Sequence, residues 1–222
     1  MNFEIFPRVV GDVLQSFQEL NEDEEDISII YENSDCYLKV YASDKYVAKV
    51  FENLDEGRSR CYTEYMNHMV AYSKLPQYML RMHYFLLDNT SSCLIYERGY
   101  DLYDVEFEMN IKTIINIIQE FNAFNVFHLD TKISNFLIRS DGNIVIHDWG
   151  LACVTKQFDN VTMEKILQCQ LRLLFILWSS EEPTELLELY DARPVFNLPE
   201  ETMYTDEYFE FLFSVQDFHK FS

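Results

Sequence analysis

Residues 127–152 read FHLDTKISNFLIRSDGNIVIHDWGLA. Two short apolar runs in this stretch, 136–139 and 144–147, flank Ser140-Asp141-Gly142-Asn143. Asp-Gly between such runs is a strong hairpin signal, because glycine supplies the positive φ that a tight turn needs. His128, Asp130, Lys132 and Asn135 stand just before the hairpin, and Asp148, Trp149 and Gly150 follow it. Asp and Asn often cap turns through their short side chains, which accounts for Asp130 or Asn135 singly but not for the set. His128 reads as a core residue hydrogen-bonded to the loop backbone.

Upstream of this stretch the hydrophobic period is mostly two. Residues 28–31, 37–41 and 46–51 are rich in β-branched and aromatic side chains and read as a three-strand antiparallel meander. Two further strands are expected at 79–87 and 92–97, and a helix at about 58–74, stopped near Pro76. An amphipathic helix over 9–20, followed by the acidic run 22–26, is expected to lead the chain. Beyond Gly99 the pattern turns helical. Ile111, Ile114, Ile115, Ile118 and Phe121 mark the buried face of one long helix, and further helices are expected at 163–179, 182–189 and 206–219. The reading is an N-terminal helix and acidic loop (1–26), a mostly β half (27–98) and a mostly α half (99–222), hinged near 97–100. Ligands favour the cleft between such halves.

Composition narrows the function. With 222 residues, 48% of them hydrophobic, the chain can build a full core. A formal charge of −21 repels phosphate backbones and anionic bilayers, so neither nucleic acid nor membrane is an expected partner. The most apolar run, 171–178, is interrupted by Arg172 and is too short to cross a bilayer. Five scattered cysteines without a CxxC pair, and no signal peptide, indicate reduced thiols in a cytoplasmic or nuclear protein that is not secreted.

The spacing of His128, Asp130, Lys132 and Asn135, followed by Asp148-Trp149-Gly150, resembles the catalytic core of serine/threonine protein kinases, with their H-R-D-x-K-x-x-N loop and D-F-G turn. The resemblance implies an α+β, protein kinase-like bilobal fold, with an antiparallel β N-lobe and a reduced α-helical C-lobe. It implies phosphoryl transfer from magnesium-ATP to a protein substrate. Asp130 would accept or orient the attacking hydroxyl and Lys132 would steady the transferring phosphate. Asn135 and Asp148, brought together by the hairpin, would bind the metal. Val47-Ala48-Lys49-Val50 looks like the family's V-A-I-K strand, whose lysine contacts the α- and β-phosphates. Glu64 is the expected carboxylate partner of Lys49, with Glu56 the alternative. Ala48 and Tyr96 fall among the residues implied to hold the nucleotide, Tyr96 through the backbone of the hinge segment 94–99. Lys49 and Asp148 are expected at a cleft, so that Lys49→Ala and Asp148→Asn abolish transfer and leave the fold intact.

The departures from the family carry their own expectations. The turn at 31–35 has no glycine and carries Glu32 and Asp35, which should weaken or reshape ATP binding. Leu129 replaces the arginine before the catalytic aspartate, and no A-P-E motif follows Gly150. Thr155 and Thr162 are the hydroxyl residues between Gly150 and the next expected helix, and Lys156 is the lone cation there, so activity should not depend on phosphorylation of this segment. Two other functions stay open: a kinase-shaped regulator that binds a partner kinase, and a small-molecule kinase of the aminoglycoside or choline type. Lys132 favours protein substrates over the latter. The trimmed plan and the Phe-, Tyr-, Ile- and Asn-rich composition resemble kinases of large DNA viruses, which would act in the host cell.

Overall fold

In the computed structural model, the described residues are 8–9, 27–33, 38–52, 55–87, 90–102, 107–154 and 157–176. The expected helices at 9–20, 182–189 and 206–219 lie outside them, apart from Val9, as do Ser34, Asp35, Thr155 and Lys156. The chain divides into two compact units, one of residues 1–102 with 137–150, the other of 103–136 with 151–222. The division is not a single cut after the hinge, because the hairpin 137–150 belongs with the β-rich first unit.

The first unit is built on a six-stranded sheet. β1 (Arg8–Val9), β2 (Ser28–Asn33), β3 (Leu38–Ala42), β4 (Tyr46–Glu52), β5 (Met82–Leu87) and β6 (Ser91–Glu97) lie in the order β1-β5-β6-β4-β3-β2. β2, β3 and β4 form the expected antiparallel meander, and β6 pairs antiparallel with both β4 and β5. β1, at the start of the segment expected to be helical, runs parallel to β5. Alternation along β4 gives the sheet two apolar faces. Tyr46, Ala48 and Val50 pack with Leu86, Cys93 and Ile95 on one face. On the other, Phe51, Leu94 and Tyr96 meet Cys61 and Tyr65 of helix α1 (Asp55–Lys74), together with Leu80 and Val145. Tyr65 stacks on Phe85 with ring centroids 4.5 Å apart.

A second, three-stranded sheet in this unit joins β7 (Tyr100–Asp101), β8 (Phe136–Ile138) and β9 (Ile144–Ile146). Gly142 has φ +82, the conformation for which the turn requires glycine. Asp141 accepts hydrogen bonds from Arg139 Nε at 3.0 Å and from the Asn143 amide at 3.1 Å, and these, the arginine first, hold its carboxyl well below the usual range. Arg139 also donates to the Met79 carbonyl, and Met79 bridges Ile146, so the hairpin is tied to the chain between α1 and β5.

The second unit holds helices α2 (Phe107–Ala123) and α3 (Asn160–Ile176). Ile111, Ile114, Ile115, Ile118 and Phe121 are all buried, as their helical spacing predicts. Asp159 caps α3, accepting from the Thr162 amide at 2.8 Å. Thr162 therefore lies in the first turn of a helix and not in the preceding segment. Phe127 and Cys153 exchange two backbone hydrogen bonds of 2.8 Å, and a cluster of Phe127, Leu129, Cys153 and Ile166 is buried here. None of the described cysteines, Cys61, Cys93, Cys153 and Cys169, forms a disulfide.

Gly57 marks how tightly α1 approaches the sheet: a Cβ there would collide with the main-chain oxygen of Glu52. Backbone cannot swing aside as a side chain can, so Gly57→Ala is expected to cost about 2 kcal/mol. Urea unfolding measures this, and a loss under about 0.5 kcal/mol, the usual scale of a surface change, contradicts it.

Candidate functional site

The chemistry-bearing residues fall in two sets, one in each unit. In the first, Lys49 leaves β4 on the face that packs against α1, and its side chain is nearly covered (8% exposed). Its Nζ lies 2.8 Å from Glu64 Oε1 and 2.9 Å from Asp148 Oδ1. Burial alone would drive the ammonium toward its neutral form, but the Asp148 and Glu64 carboxylates override this and hold its pKa above the ordinary lysine value. Burial raises the Glu64 pKa, against the pull of Lys49. Tyr96 donates its phenol to the same Glu64 oxygen at 3.1 Å. Asp148 is different in setting, with 38% of its side chain exposed and its backbone left-handed at φ +66. Asn67, one turn beyond Glu64 on α1, donates to the Trp149 carbonyl at 2.9 Å. Next to it, His68 is buried, stacks on Tyr72 and meets Tyr96 edge-on, and neither ring nitrogen has a hydrogen-bond partner. Burial, with the Lys49 charge adding to it, pushes this imidazole down to about 3.

The second set is the loop before β8. Phe127, His128, Leu129, Thr131 and Asn135 are buried, while Asp130 and Lys132 are partly exposed. Leu129 sits at φ +60, a costly conformation for a bulky residue, and its side chain is held in the core cluster of this unit. Thr131 donates to the Gln170 carbonyl on α3, fixing the other flank of Asp130. His128 Nδ1 accepts from the Asp130 amide at 3.4 Å, the loop-backbone contact expected of it. Lys132 Nζ lies 2.9 Å from Asp130 Oδ2, and Asn135 Nδ2 donates to that same oxygen at 2.9 Å and to the Asp130 carbonyl at 2.7 Å.

Several expectations change on this geometry. Ala48 does not accompany Lys49. Successive residues of a strand face opposite ways, and Ala48 is buried with Leu86, Cys93 and Ile95 on the far face of β4. Val47, two places before Lys49, shares its face. Tyr96 has strand partners on both sides, Val47 and Met82, and it reaches the Lys49–Glu64 pair through its phenol. Glu56 is exposed and pairs with Arg60 at 2.7 Å, leaving Glu64 as the partner of Lys49. Lys49 is buried between two carboxylates, so its removal is not neutral for the fold. Glu32, one of the two acids in the glycine-free turn, sits opposite Lys39 and pairs with it at 3.1 Å. The hydrophobic pattern gave no hint of Asn67. Its signal was its position three residues after Glu64, which puts both on one helix face.

Among the described residues, no group of three or more His, Cys, Asp or Glu side chains forms a metal centre. Magnesium does not need one, because it binds through one or two protein oxygens plus phosphate and water. The Asp148 carboxylate suits such an ion, as does the side-chain oxygen of Asn135, whose amide nitrogen serves Asp130.

No protein-family model matches the chain, and no curated protein matches it in sequence. Solved structures do match. Among them, the bifunctional kinase-methyltransferase WbdD aligns over 87% of this chain with a TM-score of 0.54 and 14% identity. The alignment spans 46% of the length of WbdD. The chain is thus similar in fold to a kinase-containing protein, with a mixed α/β architecture and an antiparallel sheet. Among the described residues no helix is long and apolar enough to cross a membrane.

The unpartnered imidazole of His68 generates a pH prediction. Above its ordinary pKa of about 6.5 it is neutral folded or unfolded; between there and about 3 the unfolded chain takes up a proton that the folded chain refuses. Its contribution to stability is therefore intact at neutral pH and is lost as pH falls through that window. His68→Leu removes the term and also an unsatisfied polar group worth about 1 kcal/mol. Urea unfolding should find the variant at least as stable near pH 7, with an advantage that widens toward about pH 4.5. Glu64 titrates in both proteins and cancels in the difference. A difference independent of pH contradicts the assignment.

Proposed function

We propose that this chain is an ATP- and magnesium-dependent phosphotransferase whose substrates are serine or threonine hydroxyls of proteins. The observation that carries the reading is the ammonium of Lys49, buried and bonded at once to Glu64 on α1 and to Asp148 after β9. A buried lysine bridging two carboxylates is an expensive arrangement to keep for stability alone. It serves a reaction in which fixed cations meet phosphate oxygens, since phosphoryl transfer is governed by positioning and charge neutralisation. Lys49 would bind the α- and β-phosphates, with Glu64 and the Tyr96 phenol fixing its direction. Asp148 and Asn135 would hold magnesium, which supplies charge neutralisation at the phosphates when bound. Asp130 would take the proton of the attacking hydroxyl as its oxygen forms the new bond to phosphorus and ADP departs. Lys132 and Asn135 both engage Asp130 Oδ2, which holds the carboxylate in one orientation. The similarity in fold to a protein with kinase activity in its name supports the reaction class. The protein substrate rests on Lys132, two places after Asp130.

The test is a thermal-shift titration with ATP, with and without magnesium, followed by turnover on proteins, amino alcohols and aminoglycosides. A ligand that binds the folded state alone raises its apparent stability. Asp130→Asn and Asp148→Asn are expected to keep wild-type melting temperatures within a few degrees and to lower turnover by about 100-fold or more. A wild type that binds nucleotide without turnover identifies a regulator of a partner kinase. Turnover confined to the small molecules reassigns the substrate.

Lys49→Ala is expected to abolish turnover and also to destabilise by about 3 kcal/mol, because it strands Glu64 in the core. Adding Glu64→Gln should restore much of that stability and none of the activity. Glu64→Gln alone should depress turnover far more than Glu56→Gln, which removes a surface pair with Arg60. Equal losses in the two glutamine variants would remove Glu64 from the site.

A further inference from the structure

Helix α1 is buried through an unusual set of residues: Gly57, Cys61, Glu64, Asn67, His68 and Ala71. Cys61 and Tyr65 pack this helix against the sheet through apolar contact. Directional contacts add to that packing. Glu64 is tied to Lys49 and Tyr96, and Asn67, also buried, is tied to the main-chain oxygen of Trp149. The acceptor lies in the turn that carries Asp148. Asp148 itself is left-handed at φ +66, and a tight helical turn, Trp149–Leu151, follows at once. Gly150 does not explain this geometry. A Cβ there would make ordinary contacts, 3.8 Å from Asp148 Oδ1 and 3.9 Å from Glu64 Oε2, and its φ is not positive. The carboxamide of Asn67 is bonded directly to the peptide after Trp149.

We infer that Asn67 is a positioning residue: its side-chain N–H latches the Asp148–Trp149 turn onto α1 and so keeps the Asp148 carboxylate aimed for metal binding without any phosphorylation. The inference rests on the phosphotransferase reading for its purpose and on the hydrogen bond for its existence. The side-chain pair running through Lys49 joins α1 to the turn, and so does the main-chain bond from Asn67. The first fixes one oxygen of Asp148. The second fixes the backbone, and with it the direction in which the other oxygen points.

Asn67→Asp tests this with almost no change of shape, because it replaces the donor N–H by an acceptor facing a carbonyl. Asn122→Asp is the comparison for the general cost of altering a buried asparagine, since Asn122 donates to the Gln170 side chain at 2.7 Å within the second unit. Hydrogen exchange should be at least 10-fold faster at the amides of residues 147–151 in Asn67→Asp and unchanged there in Asn122→Asp. In the thermal-shift titration, the rise caused by ATP without magnesium should persist in Asn67→Asp, whereas the extra rise on adding magnesium should be lost. Turnover at saturating nucleotide should fall at least 10-fold, with the KM for ATP within about threefold of wild type. Asn67→Gln, which keeps a donor, should recover part of each loss. Unchanged exchange at 147–151 overturns the latch whatever the nucleotide results. Faster exchange with an intact magnesium response overturns its positioning role. A wild type that does not respond to ATP at all sinks the phosphotransferase reading, and the exchange comparison then decides the latch alone.

Discussion

A buried ammonium must be neutralised where it stands, and Lys49 is neutralised by two carboxylates from distant parts of the sequence, Glu64 on α1 and Asp148 after β9. Taking such charges from water costs several kcal/mol per ion, which is recovered only with close geometry and satisfied hydrogen bonds. The first unit is organised to provide both. β4 brings Lys49 to the α1 side of the sheet, Gly57 lets α1 approach closely, and Tyr96 on β6 donates to Glu64. The hairpin of β8 and β9 ends at Asp148, and the Asp141–Gly142 turn fixes that hairpin.

The Asp130 loop solves a different problem by different means. Its polar residues are partly exposed and need orientation more than neutralisation. Orientation comes from alternate anchoring, with Leu129 and Thr131 buried on either side of Asp130 and Asn135 bonded back to it. Leu129 stands where the resemblance places an arginine. Such an arginine would couple the loop to a phosphate; here an apolar side chain at φ +60 couples it to the core of its own unit. Burial of a leucine contributes about 2 kcal/mol, enough to offset a backbone conformation costing about 1 kcal/mol. The loop is held without an external charge, and Asn67 does the same for the Asp148 turn.

Much of this was legible in the sequence where period and turn chemistry are strong. The strands at 46–51 and 92–97, the buried isoleucine face of α2 and the Asp-Gly hairpin follow from alternation, helical spacing and a glycine at positive φ. The spacing from His128 to Asp148 singled out residues that the structure gathers into two sets. By its letters, Val47-Ala48-Lys49-Val50 groups the alanine with the lysine. Strand parity, present in the same sequence, puts Val47 and not Ala48 beside Lys49. Asn67 and the Tyr96 phenol escaped notice because helix and strand patterns report apolar faces, and the buried face of α1 is largely polar. The φ of Leu129 has no signature, since nothing in a leucine announces a left-handed backbone. The chain order also suggested a single boundary after the hinge, whereas the hairpin 137–150 returns to the first unit.

Charge accounting links the site to the rest of the chain. The protein carries 38 acidic and 17 Lys and Arg residues, so an approaching polyphosphate meets a repulsive field. The site does not reverse that sign by itself. Lys49 stands against two carboxylates, and Lys132 is matched by Asp130, leaving no excess of fixed positive charge in either set. On the proposed reading, a divalent cation arriving with the nucleotide would add positive charge that the site lacks, and Asp148 would then change from a repulsive group to a ligand. On that reading the dependence on magnesium would be heavier than in a protein whose phosphate loop is rich in free lysine and arginine. The same acidic field, felt by any approaching protein, favours contact with basic segments over acidic ones.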